Sequence, residues 1–149
     1  MPGPVLPARC AAMLLAAGLL LGGCDAPSAG EAQDTEQKLH GTWLRESNEA
    51  AIRARRILVL RPDGVFQETV RIVDAAGKAT TQNHEGTWIY DGTNLKRKYT
   101  LMNGEPPSRL NLPFATFEIR FETRNEFVGV DHIHGNRIRY ERVAADTQP

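Results

Sequence analysis

Between residues 39 and 143, apolar and polar side chains alternate along eight short runs separated by turn-forming residues. The runs fall at 41–46, 56–61, 65–73, 80–90, 95–101, 114–122, 126–131 and 137–143, and each is rich in β-branched and aromatic residues. Pro62-Asp63-Gly64, Ala76-Gly77, Asp91-Gly92, Asn103-Gly104, Arg124-Asn125 and Gly135-Asn136 punctuate them. Connections this short favour antiparallel neighbours, because a parallel crossover needs about a dozen residues or more. The pattern therefore points to an all-β domain, a single antiparallel meander of about eight strands.

Period two also says which side chains fill the interior. Phe66, Val70 and Ile72 share one face of their run, as do Trp88 and Tyr90, Leu95 with Tyr99 and Leu101, Phe117 with Ile119 and Phe121, and Ile138 with Tyr140. The opposite faces carry mainly Arg, Lys, Glu, Gln and Thr. A meander of this kind closes as an up-and-down barrel or folds over as a β-sandwich. Closure removes exposed strand edges, so a closed or partly open barrel is the leading expectation and the sandwich its alternative. Residues 47–55 interrupt the strand pattern: Ser47 can cap a short helix with three arginines at its far end, and an irregular loop fits equally well.

Ahead of the domain, 11–21 is an uncharged, Ala- and Leu-rich run, with Arg9 the only charge before it. It is shorter than the roughly 20 apolar residues of a bilayer span and has the length of a signal h-region. It ends in Leu21-Gly22-Gly23-Cys24, which resembles the lipobox of bacterial lipoproteins. The resemblance implies that 1–23 is a signal peptide, that Cys24 is the first mature residue, and that lipid on Cys24 makes a membrane the partner. The implied location is the cell envelope, facing the periplasm. The outer membrane is favoured, although Asp25 resembles an inner-membrane retention signal. Residues 24–38 then form the lipidated cysteine and a flexible tether without a large apolar residue, and 144–149 a loose tail.

With Cys10 in the leader and Cys24 consumed by lipid, the mature domain holds no thiol, which excludes a disulfide, a cysteine nucleophile and a thiolate metal site. Of the 18 basic side chains, Arg9 is lost with the leader, leaving 17 against 18 acidic ones and a net charge of −1. That balance argues against a nucleic-acid partner. The basic residues are mostly arginine, which suits bidentate pairing with carboxylates, although a solvated face laced with Arg and Glu explains most of them.

Gly41-Thr42-Trp43 in the first run, a meander after it and an arginine-bearing last run together resemble the lipocalin and fatty-acid-binding-protein superfamily. A second Gly86-Thr87-Trp88, with Pro62-Asp63-Gly64 between the copies, is similar to small bacterial lipocalin-like lipoprotein domains. The resemblance implies that Gly41, Trp43, Gly86 and Trp88 are barrel-closing structural residues. It also implies that Arg139 or Arg142 stacks on Trp43. A ligand carboxylate is held in that superfamily by an Arg-x-Tyr pattern, which Arg139-Tyr140 does not preserve. Arg97, Tyr99, Tyr140 and Arg142 are the residues left to line a site for a small apolar or acyl ligand. The other reading is a filled barrel acting as a protein-interaction module, similar to protease inhibitors or envelope assembly factors. Loops 47–55 and 103–112 would then be the contact surfaces, with Leu110, Leu112 and Pro113 as anchors.

Asp131-His132-Ile133-His134 places two histidines at strand spacing, and with Asp131 or His84 they are the weak candidates for a metal. The adjacent Gly135-Asn136 points instead to a solvent-exposed turn, and no cofactor is expected. No Gly-x-Ser-x-Gly, His-Glu-x-x-His or phosphate-cradling glycine loop occurs, so the expectation is a protein without catalytic residues.

Overall fold

The structure, a computed structural model, describes Met1 and residues 27–110 and 113–149. The leader, Cys10, the Leu21-Gly22-Gly23-Cys24 motif, Asp25 and Leu112 lie outside the described residues. The elements are α1 (Ala29–Leu39), β1 (Gly41–Glu49), β2 (Ile52–Leu60), β3 (Val65–Val73), β4 (Ala79–Tyr90), β5 (Asn94–Met102), β6 (Phe114–Thr123), β7 (Glu126–Val130) and β8 (Arg137–Val143). The eight strands form one closed antiparallel barrel in which each pairs with its sequence neighbours and β8 returns to β1. The sandwich alternative is set aside by that closure.

Alternation selects the interior as the sequence pattern requires. Trp43, Leu58, Leu60, Phe66, Trp88, Leu95, Phe127, Ile138 and Tyr140 form a continuous buried core. Gly86 has a specific reason to be glycine: an added Cβ would stand 1.9 Å from the Lys98 carbonyl oxygen and 2.7 Å from the Phe66 ring. The β4–β5 register shifts at the same point, between Glu85 and Gly86, so a bulge lets β5 approach where no side chain intervenes.

Two segments differ from their sequence-based expectations. Residues 47–55 are neither helix nor irregular loop: they are the paired ends of β1 and β2, in register from Gly41↔Leu60 to Glu49↔Ile52. The turn between them is Ala50-Ala51, with φ of 49° and 64°. Two central residues with positive φ are what a type I′ hairpin turn demands, but alanine gives no sequence signal for one. Residues 25–38, read as tether, contain most of α1. Its start is fixed by Ser28, whose hydroxyl accepts from the Glu31 amide while the Glu31 carboxylate accepts from the Ser28 amide. Leu39, at its end, is fully buried against the barrel.

The topology separates the barrel ends. α1 and the turns at 61–64, 91–93 and 124–125 lie at one end. The Ala50-Ala51 hairpin and the connections 74–78, 103–113 and 131–136 lie at the other. Alanine in a left-handed conformation costs about 1–2 kcal/mol. The double substitution Ala50→Asn, Ala51→Gly is thus expected to stabilise the protein by about 1 kcal/mol or more, seen as a higher thermal unfolding midpoint by circular dichroism.

Candidate functional site

The α1 end of the barrel is shut by a stack of interactions. Trp43 is fully buried, and its indole Nε1 donates to the Leu39 carbonyl at 2.7 Å. The Arg142 guanidinium lies 4.3 Å from the centroid of the Trp43 ring and donates to the carbonyls of His40, at 2.8 Å, and Lys38. Trp88 Nε1 donates to the Arg61 carbonyl at 3.0 Å, and the Trp88 ring meets His40 edge to face. Of the two last-strand arginines, Arg142 is therefore the one on Trp43. Arg139 faces outward and ion-pairs with Glu126. With two of its N–H groups bonded to backbone carbonyls at the end of α1, Arg142 belongs to this closure and stands apart from the other ligand-lining candidates.

The middle of the barrel holds an ionic cluster. Glu68 on β3 is 2 % exposed, and Arg97 on β5 is 4 % exposed. Arg97 Nη1 donates to Glu68 Oε1 at 2.5 Å, and Arg56 on β2 pairs with Glu68 Oε2 at 2.6 Å. The Tyr99 hydroxyl stands 3.5 Å from Oε2. Arg97 also lies over Phe66 and Tyr99, at 5.4 and 5.6 Å from the ring centroids. His84 is 7 % exposed and meets Tyr99 edge to face. Tyr140, fully enclosed, stacks on Phe127 at 5.1 Å. Among the described residues, His84 Nδ1 and Arg97 Nε are buried nitrogens without a hydrogen-bond partner.

Sequence reasoning placed Arg97, Tyr99 and Tyr140 inside, and there they lie. It passed over Glu68 and Arg56, and weighed His84 only as a metal partner for the His132–His134 pair, from which the structure separates it. Parity was the available signal: Glu68 stands between Phe66 and Val70 on the inward face, Arg56 is two residues before Leu58, and His84 is four before Trp88.

Electrostatics explains how a carboxylate survives here. Burial pushes the Glu68 carboxyl up, but the Arg97 and Arg56 guanidiniums outweigh burial and hold it at about 2, against an ordinary 4.5. Burial likewise opposes the Arg97 charge, and the Glu68 carboxylate more than restores it, raising the pKa. Burial, aided by Arg56 and Arg97, lowers His84 below 6.5. Burial raises both Tyr99 and Tyr140, keeping the phenols protonated. Arg45, inward by parity with Trp43, is the register partner of Arg56. The mid-barrel interior thus presents two guanidiniums, Arg56 and Arg97, to one carboxylate, with Arg45 on the same inner face by parity, an excess of positive charge beside aromatic walls.

The histidine pair of the last connection lies elsewhere. His132 Nε2 meets Glu118 at 2.6 Å and His134 Nδ1 meets Asp131 at 2.7 Å, both exposed. Each ring is committed to a different carboxylate. No group of three or more His, Cys, Asp or Glu is arranged to hold a metal among the described residues. Among them too, no helix is long and apolar enough to cross a membrane.

The fold defines a small eight-stranded antiparallel β-barrel, compatible with a lipocalin-like fold. No protein-family model matches the chain, and no curated protein matches it.

Removing Glu68 leaves the buried Arg97 and the half-buried Arg56 unpaired, so Glu68→Ala is expected to cost about 3–5 kcal/mol, measured by urea unfolding. The pH dependence has a definite sign. On acidification the unfolded chain takes up the Glu68 proton first, so this contribution is full above pH 4.5 and is lost as the pH falls toward about 2. His84 adds a loss in the same direction, beginning as the pH falls through 6.5. Unfolding curves across this range should steepen their decline below pH 4.5 in the wild type, and a folded Glu68→Gln variant should lack that acid limb.

Proposed function

We propose that the protein is a lipid-anchored, lipocalin-like binding protein of the bacterial envelope that takes a small amphipathic anion of acyl-carboxylate type into its barrel. Its role is binding without catalysis. The anionic end sits on Arg45 and Arg56, above a floor made by the Glu68–Arg97 pair, and the apolar part lies against the aromatic wall. The observation that carries this reading is the charge imbalance on the inner face: Arg56 and Arg97 share the one Glu68 carboxylate, and Arg45, inward by parity, adds a further positive charge on the neighbouring strand. A positive site walled off from water favours an anion far more than an exposed one does, and guanidinium forks match carboxylates in geometry. Glu68 already occupies Arg97 and stands 3.5 Å from the Tyr99 hydroxyl. The ligand headgroup is therefore displaced toward Arg56 and Arg45.

Anchoring rests on the lipobox-like Leu21-Gly22-Gly23-Cys24. A second reading, a protein-interaction module, is favoured by Leu110 and Ile133, which are 96 % and 77 % exposed on connections at the end of the barrel away from α1.

Titration with a dansyl-labelled fatty acid, with native mass spectrometry of the complex, tests the binding reading. Wild-type protein is expected to give saturable one-to-one uptake. Arg45→Met, which leaves the Glu68 ion pairs intact, should weaken binding about 10- to 100-fold, the worth of one charge-assisted hydrogen bond. Absence of uptake by the wild type overturns the ligand reading in favour of the interaction module. Cys24→Ser should move the protein from the membrane fraction to the soluble fraction, and unchanged membrane retention would remove the lipid anchor.

A further inference from the structure

The barrel is closed unevenly. β1 and β8 meet through three residue pairs only, Thr42↔Val143, Trp43↔Arg142 and Leu44↔Glu141. Beyond Leu44, β1 runs on to Glu49 paired with β2 alone, and the first residues of β8, from Arg137 to Tyr140, pair with β7 alone. The two strands therefore diverge toward the end opposite α1, and a cleft of about 610 Å³ opens there, extending from the end of β1 across β8 onto β7 and β6. That size falls within the roughly 300–1,000 Å³ typical of small-molecule sites.

The lining of this cleft draws on both faces of the sheet. Arg45, Ser47 and Ile138 line it with inward parity, while Glu46, Arg137 and Arg139 line it with outward parity. The cleft thus wraps the splayed edge of the sheet, where inward and outward residues of β1 and β8 meet. Its inner end adjoins the ionic cluster, because Arg45 is the register partner of Arg56, which holds Glu68. Its charges are unevenly satisfied: Arg139 is paired with Glu126, Glu46 with Arg55 and Arg120 with Glu122, whereas Arg45, Arg137 and, at the tip of β1, Glu49 make no ion pair among the described residues, which leaves one positive charge in excess.

We propose that the β1–β8 seam is the lateral entrance through which an amphipathic anion reaches the barrel interior, attracted by Arg137 at the outer lip and received by Arg45 on the inner wall. The inference rests on the binding reading above and adds a route and two specificity-determining side chains to it. A lip charge acts on encounter, so it governs the association rate and its salt dependence more than the lifetime of the complex.

Stopped-flow uptake of a dansyl-labelled fatty acid by the full chain tests the route. Ser47→Trp, which fills the seam, is expected to slow association about tenfold while preserving the final amplitude, and Arg137→Glu to slow it by a similar factor at low salt, less at high salt, without changing dissociation. Gln82→Trp, on an inward position of β4 toward the end away from α1, should associate at the wild-type rate. Arg137 is exposed, so its substitution keeps the test decisive if Ser47→Trp fails to fold. The seam is overturned as the entrance if Gln82→Trp slows uptake while the two seam variants match the wild type. Wild-type protein that takes up no probe fails the binding reading itself and removes the entrance with it, an outcome distinct from uptake by another route.

Discussion

Glu68 brings a full negative charge into an aromatic interior and stays ionised because two other strands each deliver a guanidinium to it. The cluster joins β2, β3 and β5 at one level of the barrel, and its geometry depends on strand register. A one-residue slip of β2 or β5 would turn Arg56 or Arg97 to the outer face. Loss of a partner from a buried ion pair costs about 3–5 kcal/mol. Hydrophobic packing alone distinguishes neighbouring registers less sharply, because apolar side chains of similar size replace one another. The same cluster sets the chemistry of the interior, since the two guanidiniums on Glu68 carry one positive charge more than it neutralises.

The two ends of the barrel divide the work. At one end, Trp43, Arg142 and α1 make a plug in which a guanidinium stacks on the Trp43 ring and the Leu39 carbonyl accepts from the indole N–H. At the other, β1 and β2 project as a hairpin past the point where β8 leaves β1. Packing is thus concentrated where the chain begins and ends, and the polar, arginine-bearing surface lies where the strands spread. A barrel of eight strands has room for side chains or for one small ligand. Here the lower half is filled by Trp43, Phe66, Phe127 and Tyr140, and polar and ionic groups occupy the level above.

Strand identity and order were legible because two physical signals agreed: period-two burial and turn residues with distinct backbone preferences. Of the eight runs, those at 65–73 and 137–143 coincide with β3 and β8 to the residue, and 80–90 misses only Ala79 of β4. The failures had separate causes. Ala50-Ala51 adopts a turn that sequence normally marks with Asn or Gly, so the outer half of the first hairpin was hidden. Polar composition at 25–38 masked a helix stabilised by a local Ser28–Glu31 capping box and by Leu39 alone on its buried side. In the candidate site, Arg97, Tyr99 and Tyr140 were readable from alternation. Glu68, Arg56 and His84 were equally aligned with it but are polar, and only the meeting of three strands shows that their charges answer one another.

The Arg142 contacts have a kinetic meaning as well. The hydrogen bonds from Arg142 to His40 and Lys38 join residues more than 100 positions apart, 102 and 104 respectively. Every other strand pairing in the meander links neighbours in sequence, so each hairpin can form with a short loop, whereas the ring shuts only across the full length of the domain. Contacts of such long sequence separation carry the largest loop-closure entropy and slow folding most. The stacked arginine thus concentrates strong, directional interactions at the entropically hardest junction of the chain, compensating there for the mere three residue pairs with which the first and last strands meet.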